Sequence, residues 1–495
     1  MMRNVRLIMG RRLISVLMVV VVFCGCFGGS GAGAVVKDDS EWFDGVIHGF
    51  WGEKMQSPDG ELEGYVNLGR RPTIGQMWGE WSSSQQSLEG TIRCVFRERI
   101  LLGSISVDEN QRLHAFVGFI SWDDSMFSAS LFGRNLPFQY IWGEMDASFL
   151  PPLNGEYGVG VKTMHLIDES RLEQLTPDPD DTRELMMQVW YPTLRNLSEP
   201  EVEYMDEPTF AWLMGRSPVP LFTIPDHAYE FVNPHGREGV GVADSEPLYP
   251  VVLFSPGYDG VYQIYTSLIE DMVSHGFIVV SMNHPYVSGI TVFPDGRQVY
   301  VSSNSTGDVG IRTVVDDAKF VLDVLEEVNS TDPLLQGCLD LSLVGMYGHS
   351  FGGAATSICC SEDDRFDCGL TLDGVFYLDY LSEGIDKPFL MQIAENRFND
   401  GNVQEMWALL SGESFKVEVL GATHSGFTDV GLLLNHLVPL VPPRLLGFGS
   451  IEPKVHVNIS RLYAQVFFEV YLKGRSVDDL LMLSSVFDDV VVEWK

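Results

Sequence analysis

Cysteine is scarce in this chain, with seven in 495 residues and no C-x-x-C pair, so a thiolate zinc site or a thioredoxin-type redox centre is not expected. No metal site is legible and no cofactor is called for. Positive charge is also short. Lys and Arg number 32 against 68 Asp and Glu, a formal charge of −36, which would repel a phosphate backbone and excludes nucleic acid as a partner. A solvated acidic surface accounts for that excess. Beyond Cys24 and Cys26 there remain Cys94, Cys338, Cys359, Cys360 and Cys368. A disulfide from Cys359 or Cys360 to Cys368 is sterically conceivable; buried free thiols are the other reading.

Long apolar runs are absent except at the N-terminus. There Arg3, Arg6, Arg11 and Arg12 precede Leu13-Ile-Ser-Val-Leu-Met-Val-Val-Val-Val-Phe-Cys-Gly-Cys26, an apolar core shorter than the roughly 20 residues of a membrane span. Residues 1–25 read as an export signal. Phe23-Cys-Gly-Cys26 resembles a lipobox, in which Cys26 becomes the lipidated first residue, and Gly28 to Ala34 opens a flexible tether over 26–40. The expected location is therefore outside the cytoplasm, lipid-anchored on the outer face of the cytoplasmic membrane or secreted. An uncleaved anchor helix would leave the chain on the same face.

What is present divides into two rhythms, with 45% hydrophobic and 20% charged residues, a globular composition. Residues 41–150 are rich in Gly and Trp, with short alternating runs and no helical period, and read as an all-β module. Trp51-Gly-Glu with Leu62-Glu-Gly recurs as Trp78-Gly-Glu with Leu88-Glu-Gly, at offsets of 27 and 26, and Trp142-Gly-Glu follows. Tryptophans at such spacing are read as core, with carbohydrate contact as the alternative. Pro151-Pro-Leu-Asn-Gly155 marks a linker.

From residue 156 to 495 strands alternate with helices, which predicts an α/β fold with a mostly parallel, doubly covered sheet. Expected strands include Tyr157–Leu166, Glu184–Tyr191, Tyr249–Ser255, Phe277–Ser281, Gly369–Leu372, Pro388–Ile393 and Phe415–Leu420. Helices are expected at Gln263–His275, at Ile311 to about Val328, and finally at Arg461–Leu472. The intervals 196–246 and 285–310 lack periodicity and are read as excursions over the strand ends.

The motif that carries chemistry is Leu341-Ser-Leu-Val-Gly-Met-Tyr-Gly-His-Ser350-Phe-Gly-Gly-Ala, an apolar strand entering G-x-S-x-G and then a small-residue helix. This pattern is a nucleophile elbow: Gly348 and Gly352 leave room for a sharp turn that lifts the Ser350 hydroxyl clear of the sheet. A serine hydroxyl needs a histidine base and a carboxylate to orient that base, in the chain order Ser, acid, His. Among His424, His436 and His456, His424 sits in Gly421-Ala-Thr-His-Ser-Gly, a turn directly after an expected strand, and is the candidate base. His349 is expected to point away from the serine. For the acid, Asp373 and Glu395 each end a strand, and spacing does not choose between them. A second oxyanion N–H is expected from the loop after Val251–Ser255, where Gly257 permits close approach and places the Tyr258 N–H beside that of Phe351.

Residues 156–495 resemble the platelet-activating-factor acetylhydrolase group of α/β-hydrolases. The matching segments are Glu184-Leu-Met-Met-Gln-Val-Trp-Tyr-Pro192, Tyr249-Pro-Val-Val-Leu-Phe-Ser-Pro-Gly257, Gly345-Met-Tyr-Gly-His-Ser-Phe-Gly-Gly-Ala354 and Arg365-Phe-Asp-Cys-Gly-Leu-Thr-Leu-Asp373. The resemblance implies Ser350, Asp373 and His424 as the triad, with Asp373 favoured over Glu395 by its interval from the serine, and Tyr258 and Phe351 as oxyanion donors. Pro256 departs from the pattern, since relatives commonly carry His before the oxyanion glycine. The implied activity is that of a metal-independent serine esterase for short-chain acyl esters, with a small-molecule ester or a phospholipid as substrate. Rival readings are a polyester- or lipase-type hydrolase of the same fold, and a surface-binding lipoprotein whose hydrolase domain is inert.

Overall fold

The computed structural model describes the backbone of seven strands within residues 48–133, and residues 150–495 apart from 196–198, 217–228, 230, 231, 233 and 438–442. The expected leader, Cys26, the tether, Trp51 and Trp142 lie outside the described residues. The chain divides into two compact units, one formed mainly by residues 1–149 and the other by most of 150–495.

In the first unit, β1 (His48–Phe50), β2 (Asp59–Val66), β3 (Gly75–Ser82), β4 (Ser87–Phe96), β5 (Arg99–Val107), β6 (Leu113–Asp123) and β7 (Met126–Gly133) form one sheet. From β2 to β7 each strand pairs antiparallel with the next, and β1 pairs with β4. The sequence repeat has a pairing meaning here. Trp78-Gly-Glu on β3 lies between the two Leu-Glu-Gly copies, with Gly79 opposite Leu62 on one side and Gly90 on the other.

The second unit is built on a ten-stranded sheet. Its strands are β8 (Gly158–Leu172), β9 (Thr182–Thr193), β10 (Gly236–Glu238), β11 (Tyr249–Ser255), β12 (Ile278–Asn283), β15 (Leu339–His349), β16 (Cys368–Leu372), β17 (Phe389–Ala394), β18 (Ser414–Val419) and β19 (Val490–Trp494), while β13 (Ile290–Val292) and β14 (Gln298–Tyr300) form a separate hairpin. The spatial order is β10-β8-β9-β12-β11-β15-β16-β17-β18-β19, with the six strands from β12 to β18 parallel. β11 and β12 are buried along their whole length, which explains their unbroken apolar runs: both sheet faces are covered. Pro250 falls where the β11–β15 register shifts, a place where a missing ladder N–H is tolerated.

The helices of this unit are α1 (Glu207–Gly215), α2 (Thr266–Ser274), α3 (Asp308–Thr331), α4 (Phe351–Glu362), α5 (Gly401–Leu409), α6 (Val430–Leu437), α7 (Pro453–Lys473) and α8 (Val477–Met482). α2 packs with α7, and α3 packs with α4. Among the described residues no helix is long and apolar enough to cross a membrane.

Several boundaries differ from the sequence expectation. The last long helix starts at Pro453 rather than Arg461, because proline at the first position leaves its absent N–H unmissed and pre-sets the backbone angle. His456 therefore lies inside α7 instead of leading into a helix. α7 is not the final element either, since α8 and β19 follow, with β19 antiparallel to β18 at the sheet edge. Leu150–Gly155 is packed rather than loose: Leu150 is fully buried, Arg461 donates to the Pro152 carbonyl, and the Gly155 N–H donates to Ser274. Cys338, Cys359, Cys360 and Cys368 are free thiols, the last three buried.

Candidate active site

β15 runs straight into α4 through Ser350, whose φ of 52° and ψ of −110° are the strained geometry of a nucleophile elbow. Two glycines make the turn possible. A Cβ on Gly348 would lie 2.4 Å from the Gly352 backbone, and a Cβ on Gly352 would lie 2.1 Å from the Ser255 carbonyl oxygen. The elbow is fastened to the neighbouring strand by the Ser350 N–H, which donates to the Leu372 carbonyl at 2.9 Å. The hydroxyl is thereby held at the carboxyl edge of the parallel strands.

His424 reaches that hydroxyl from the turn after β18, its Nε2 2.9 Å from Ser350 Oγ. Its Nδ1 lies 2.5 Å from Asp373 Oδ2, so the carboxylate accepts the Nδ1 proton and Nε2 is left to accept from serine. Asp373 ends β16 in the left-handed region, at φ 45°, which turns the carboxylate inward. Its other oxygen accepts the Ala394 N–H at 2.9 Å and the Arg397 guanidinium at 3.0 Å. Burial alone would push the Asp373 carboxyl up, but the His424 hydrogen bond, the Arg397 charge and the Ala394 N–H outweigh it and hold the group below its ordinary value. Glu395, the rival acid, is exposed to solvent. His436 belongs to α6. His456 is buried against Phe427, ring centroids 4.4 Å apart, and burial pushes it down to about 4.

The two expected oxyanion donors flank the serine. Phe351 is the first residue of α4, where the backbone N–H has no intrahelical acceptor. Tyr258 follows β11 in a turn closed by the Gly260 N–H to the Gly257 carbonyl at 2.9 Å. No acceptor among the described residues takes either N–H. The turn is braced from outside: Asp259, at φ 57°, accepts two hydrogen bonds from Arg216 at 2.9 and 3.1 Å, and its N–H donates to the Val287 carbonyl. The Tyr258 and Tyr377 rings meet Phe351 edge-on at 5.9 and 5.8 Å and wall the side of the elbow with aromatic surface.

Arg397 and His349 belong to the site as well, and sequence reasoning missed both. Arg397 sits in Glu395-Asn-Arg-Phe-Asn, which carries no motif; the left-handed Asn396, at φ 69°, returns the chain toward Asp373. His349 does not face the serine, as expected, but it is hydrogen-bonded to the backbone of His424 at 3.0 Å.

A mostly parallel sheet covered by helices, with a strained serine at a strand-to-helix turn and a histidine–carboxylate pair from later strand ends, defines an α/β-hydrolase. Comparison with known proteins narrows the class: the model of the family "Platelet-activating factor acetylhydrolase, isoform II" matches residues 143–323 and 314–476, and the chain belongs to that family. The chain is 26% identical over 264 residues to a probable 1-alkyl-2-acetylglycerophosphocholine esterase of Arthroderma benhamiae, covering 49% of this chain and 65% of that one. It is 25% identical over 258 residues to the platelet-activating factor acetylhydrolase of Cavia porcellus, covering 45% and 58% respectively. These matches span less than two thirds of either relative. Among solved structures, a ferulic acid esterase from Streptomyces cinnamoneus superposes with a TM-score of 0.61 at 28% identity, over 69% of this chain and 98% of that one.

Proposed function

We propose that this chain is a serine esterase that hydrolyses short-chain acyl esters, acetylated phospholipids among them, through an acyl-enzyme. The observation that carries the reading is the Ser350 Oγ to His424 Nε2 contact of 2.9 Å on a strained elbow, with Asp373 behind the imidazole. His424 takes the hydroxyl proton as Ser350 Oγ adds to the ester carbonyl. The oxyanion that forms is met by the Tyr258 and Phe351 N–H groups, while Asp373 stabilises the imidazolium. His424 then protonates the leaving alcohol, and the acyl-enzyme is hydrolysed by a water activated in the same way. The family match, the similarity to two acetyl-ester-cleaving relatives and the neighbouring esterase structure support the reaction class.

The test is fluorophosphonate labelling together with a panel of p-nitrophenyl esters of graded chain length, an acetylated phospholipid and methyl ferulate. Wild-type protein should label at one serine and favour short acyl groups. Ser350→Ala should abolish labelling and lower turnover by on the order of 10⁴-fold or more. Labelling that persists at another serine refutes the assignment, and preference for long or polymeric esters would move the protein to the lipase-type reading.

The location belongs to the same proposal. A basic leader ending in Phe23-Cys-Gly-Cys26, followed by a Gly-rich tether, supports export and lipid anchoring at Cys26. Cys26→Ser should release the protein from membranes or block its processing. An unmodified mature terminus further along, found by mass spectrometry, would make it a simple secreted enzyme.

A further inference from the structure

His349, the residue before the candidate nucleophile, is buried, with 5% of its surface exposed, and both ring nitrogens are engaged. Nε2 lies 3.0 Å from the carbonyl oxygen of His424, and a carbonyl only accepts, so Nε2 carries the proton. Nδ1 is then an acceptor, and the Tyr265 hydroxyl, 2.8 Å away, must donate to it. The oxyanion turn closes on the same edge of the ring, where a Cβ on Gly257 would lie 3.1 Å from His349 Nδ1. Direction is thus fixed at both hydrogen bonds: Tyr265 O–H to His349 Nδ1, and His349 Nε2–H to the His424 carbonyl.

His349 thus meets, on one edge, the oxyanion turn and, on the other, the backbone of the base, the two parts of the site that must keep register with Ser350. Gly257 immediately precedes Tyr258, a proposed oxyanion donor, and His424 is the proposed base. We propose that His349 and Tyr265 are positioning residues for hydrolysis, coupling the oxyanion turn to the backbone of the base so that both hold their places around Ser350. This inference rests on the serine-esterase reading and extends it to side chains that do not touch the substrate.

Three further observations agree. The His349 ring packs on the His424 ring, centroids 4.5 Å apart at 37°, and on Phe427 at 6.2 Å, so it supports the base by its face as well as by its proton. Burial, and next the neighbouring His424, push His349 down to about 3, so it stays neutral and sets no like charge against the imidazolium that forms on His424. The same two segments are joined again further on, where the Asp429 N–H donates to the Ile264 carbonyl at 2.7 Å and the Asp429 carboxylate accepts the Ser267 N–H at 3.0 Å. A histidine that only filled the core would not need both nitrogens aimed at opposite walls of the active site.

The test compares full-length wild type with Tyr265→Phe, His349→Phe and His349→Gln, using p-nitrophenyl acetate kinetics, fluorophosphonate labelling rates and thermal melting. Tyr265→Phe keeps the ring and removes the hydroxyl. Its kcat should fall on the order of tenfold with KM nearly unchanged, the effect of one hydrogen bond felt in the transition state. His349→Phe should cost more, on the order of 100-fold in kcat, and the labelling rate at Ser350 should fall in parallel. His349→Gln, whose amide can donate to the His424 carbonyl, should recover most of that loss. ¹⁵N-histidine NMR of the wild type should report a neutral Nε2–H tautomer for His349 from roughly pH 5 to pH 8. Folded Tyr265→Phe and His349→Phe variants with wild-type kcat would overturn the proposal. So would a loss that appears only as lower melting temperature, or one that His349→Gln fails to relieve. If Ser350→Ala retains labelling, it is the esterase reading that falls, a result separate from either of these.

Discussion

In the sheet of residues 48–133 each strand from β2 to β7 pairs with its neighbour in sequence, whereas in the sheet of residues 158–494 the strand that ends at the nucleophile, β15, lies between β11 and β16. From β2 to β7 the first arrangement joins strands that are adjacent in sequence, with only the β1–β4 pairing reaching further. The second needs crossovers, because consecutive parallel strands must each start again from the same end. That requirement is what builds a site. It brings the ends of β11, β15, β16 and β18 to one edge, so that Ser350 and His424 meet across 74 residues of sequence and Asp373 and His424 across 51. Among the described strands of the meander, neighbours from β2 to β7 run in opposite directions, so consecutive strands end at opposite edges. The proposed catalytic residues all follow strands of the second sheet, and chemistry is expected there.

The sharpest way to break that comparison is at the acid. Asp373→Asn preserves the shape of the side chain but removes the charge that orients His424 and stabilises its imidazolium. We expect kcat to fall by about 10⁴-fold with the fold intact, as circular dichroism would show. Glu395→Gln, on the next strand end but exposed, should change activity by less than about twofold, as expected of a surface substitution. If Glu395→Gln is the more damaging change, the acid has been assigned to the wrong strand.

A smaller effect is expected at Arg397, which touches Asp373 and not the serine. Arg397→Met should lower kcat by on the order of tenfold, because the carboxylate loses a charge-assisted hydrogen bond but keeps the Ala394 N–H. The pH dependence has a definite sign. Asp373 is held below its ordinary value, so its contribution to stability is present above the unfolded carboxyl range and disappears as pH falls through the lowered value. Without Arg397 the folded pKa rises, and both the acid limb of activity and the acid loss of stability should move to higher pH. Profiles of kcat/KM and of melting temperature against pH would show this, and an acid limb that stays in place would mean that Arg397 does not hold the charge.

Much of this architecture was legible in the chain because the relevant signals are local. The elbow needs small residues within five positions. β11 and β12 are apolar on both faces, and the turn bearing His424 follows a strand directly. What was not legible depends on distant partners. Arg397 and Asp373 are 24 residues apart with no shared motif, and His349 and Tyr265 are 84 apart. β19 reads Val-Val-Val-Glu-Trp after a helix that looks terminal, and only its pairing with β18 makes it a strand of the main sheet. The start of α7 was hidden because Pro453 and the polar Lys454 and Asn458 dilute the apolar period, although His456 and Val457 are buried.

The smallest expected effect concerns removal of the β module, and the structure changes where the cut belongs. Pro151-Pro-Leu-Asn-Gly155 reads as a linker, yet the Pro152 carbonyl accepts a hydrogen bond from Arg461 at 2.7 Å, and the Gly155 N–H donates to Ser274 at 3.0 Å. Leu150 is fully buried. A fragment that begins at about residue 145 keeps these contacts and every proposed catalytic and oxyanion residue, so its kcat/KM on a soluble short-chain ester should stay within about twofold of the full-length value. One that begins at residue 156 loses a buried leucine and an acceptor for a guanidinium that is 2% exposed, which still pairs with Asp271. Its stability should drop by about 3 kcal/mol or more, from the leucine and the weakened Arg461 site together, while activity at low temperature survives. Melting curves and ester kinetics on the two fragments separate these outcomes. A well-folded longer fragment without activity would mean that the meander completes the active site, and the division of labour between the two sheets would fall.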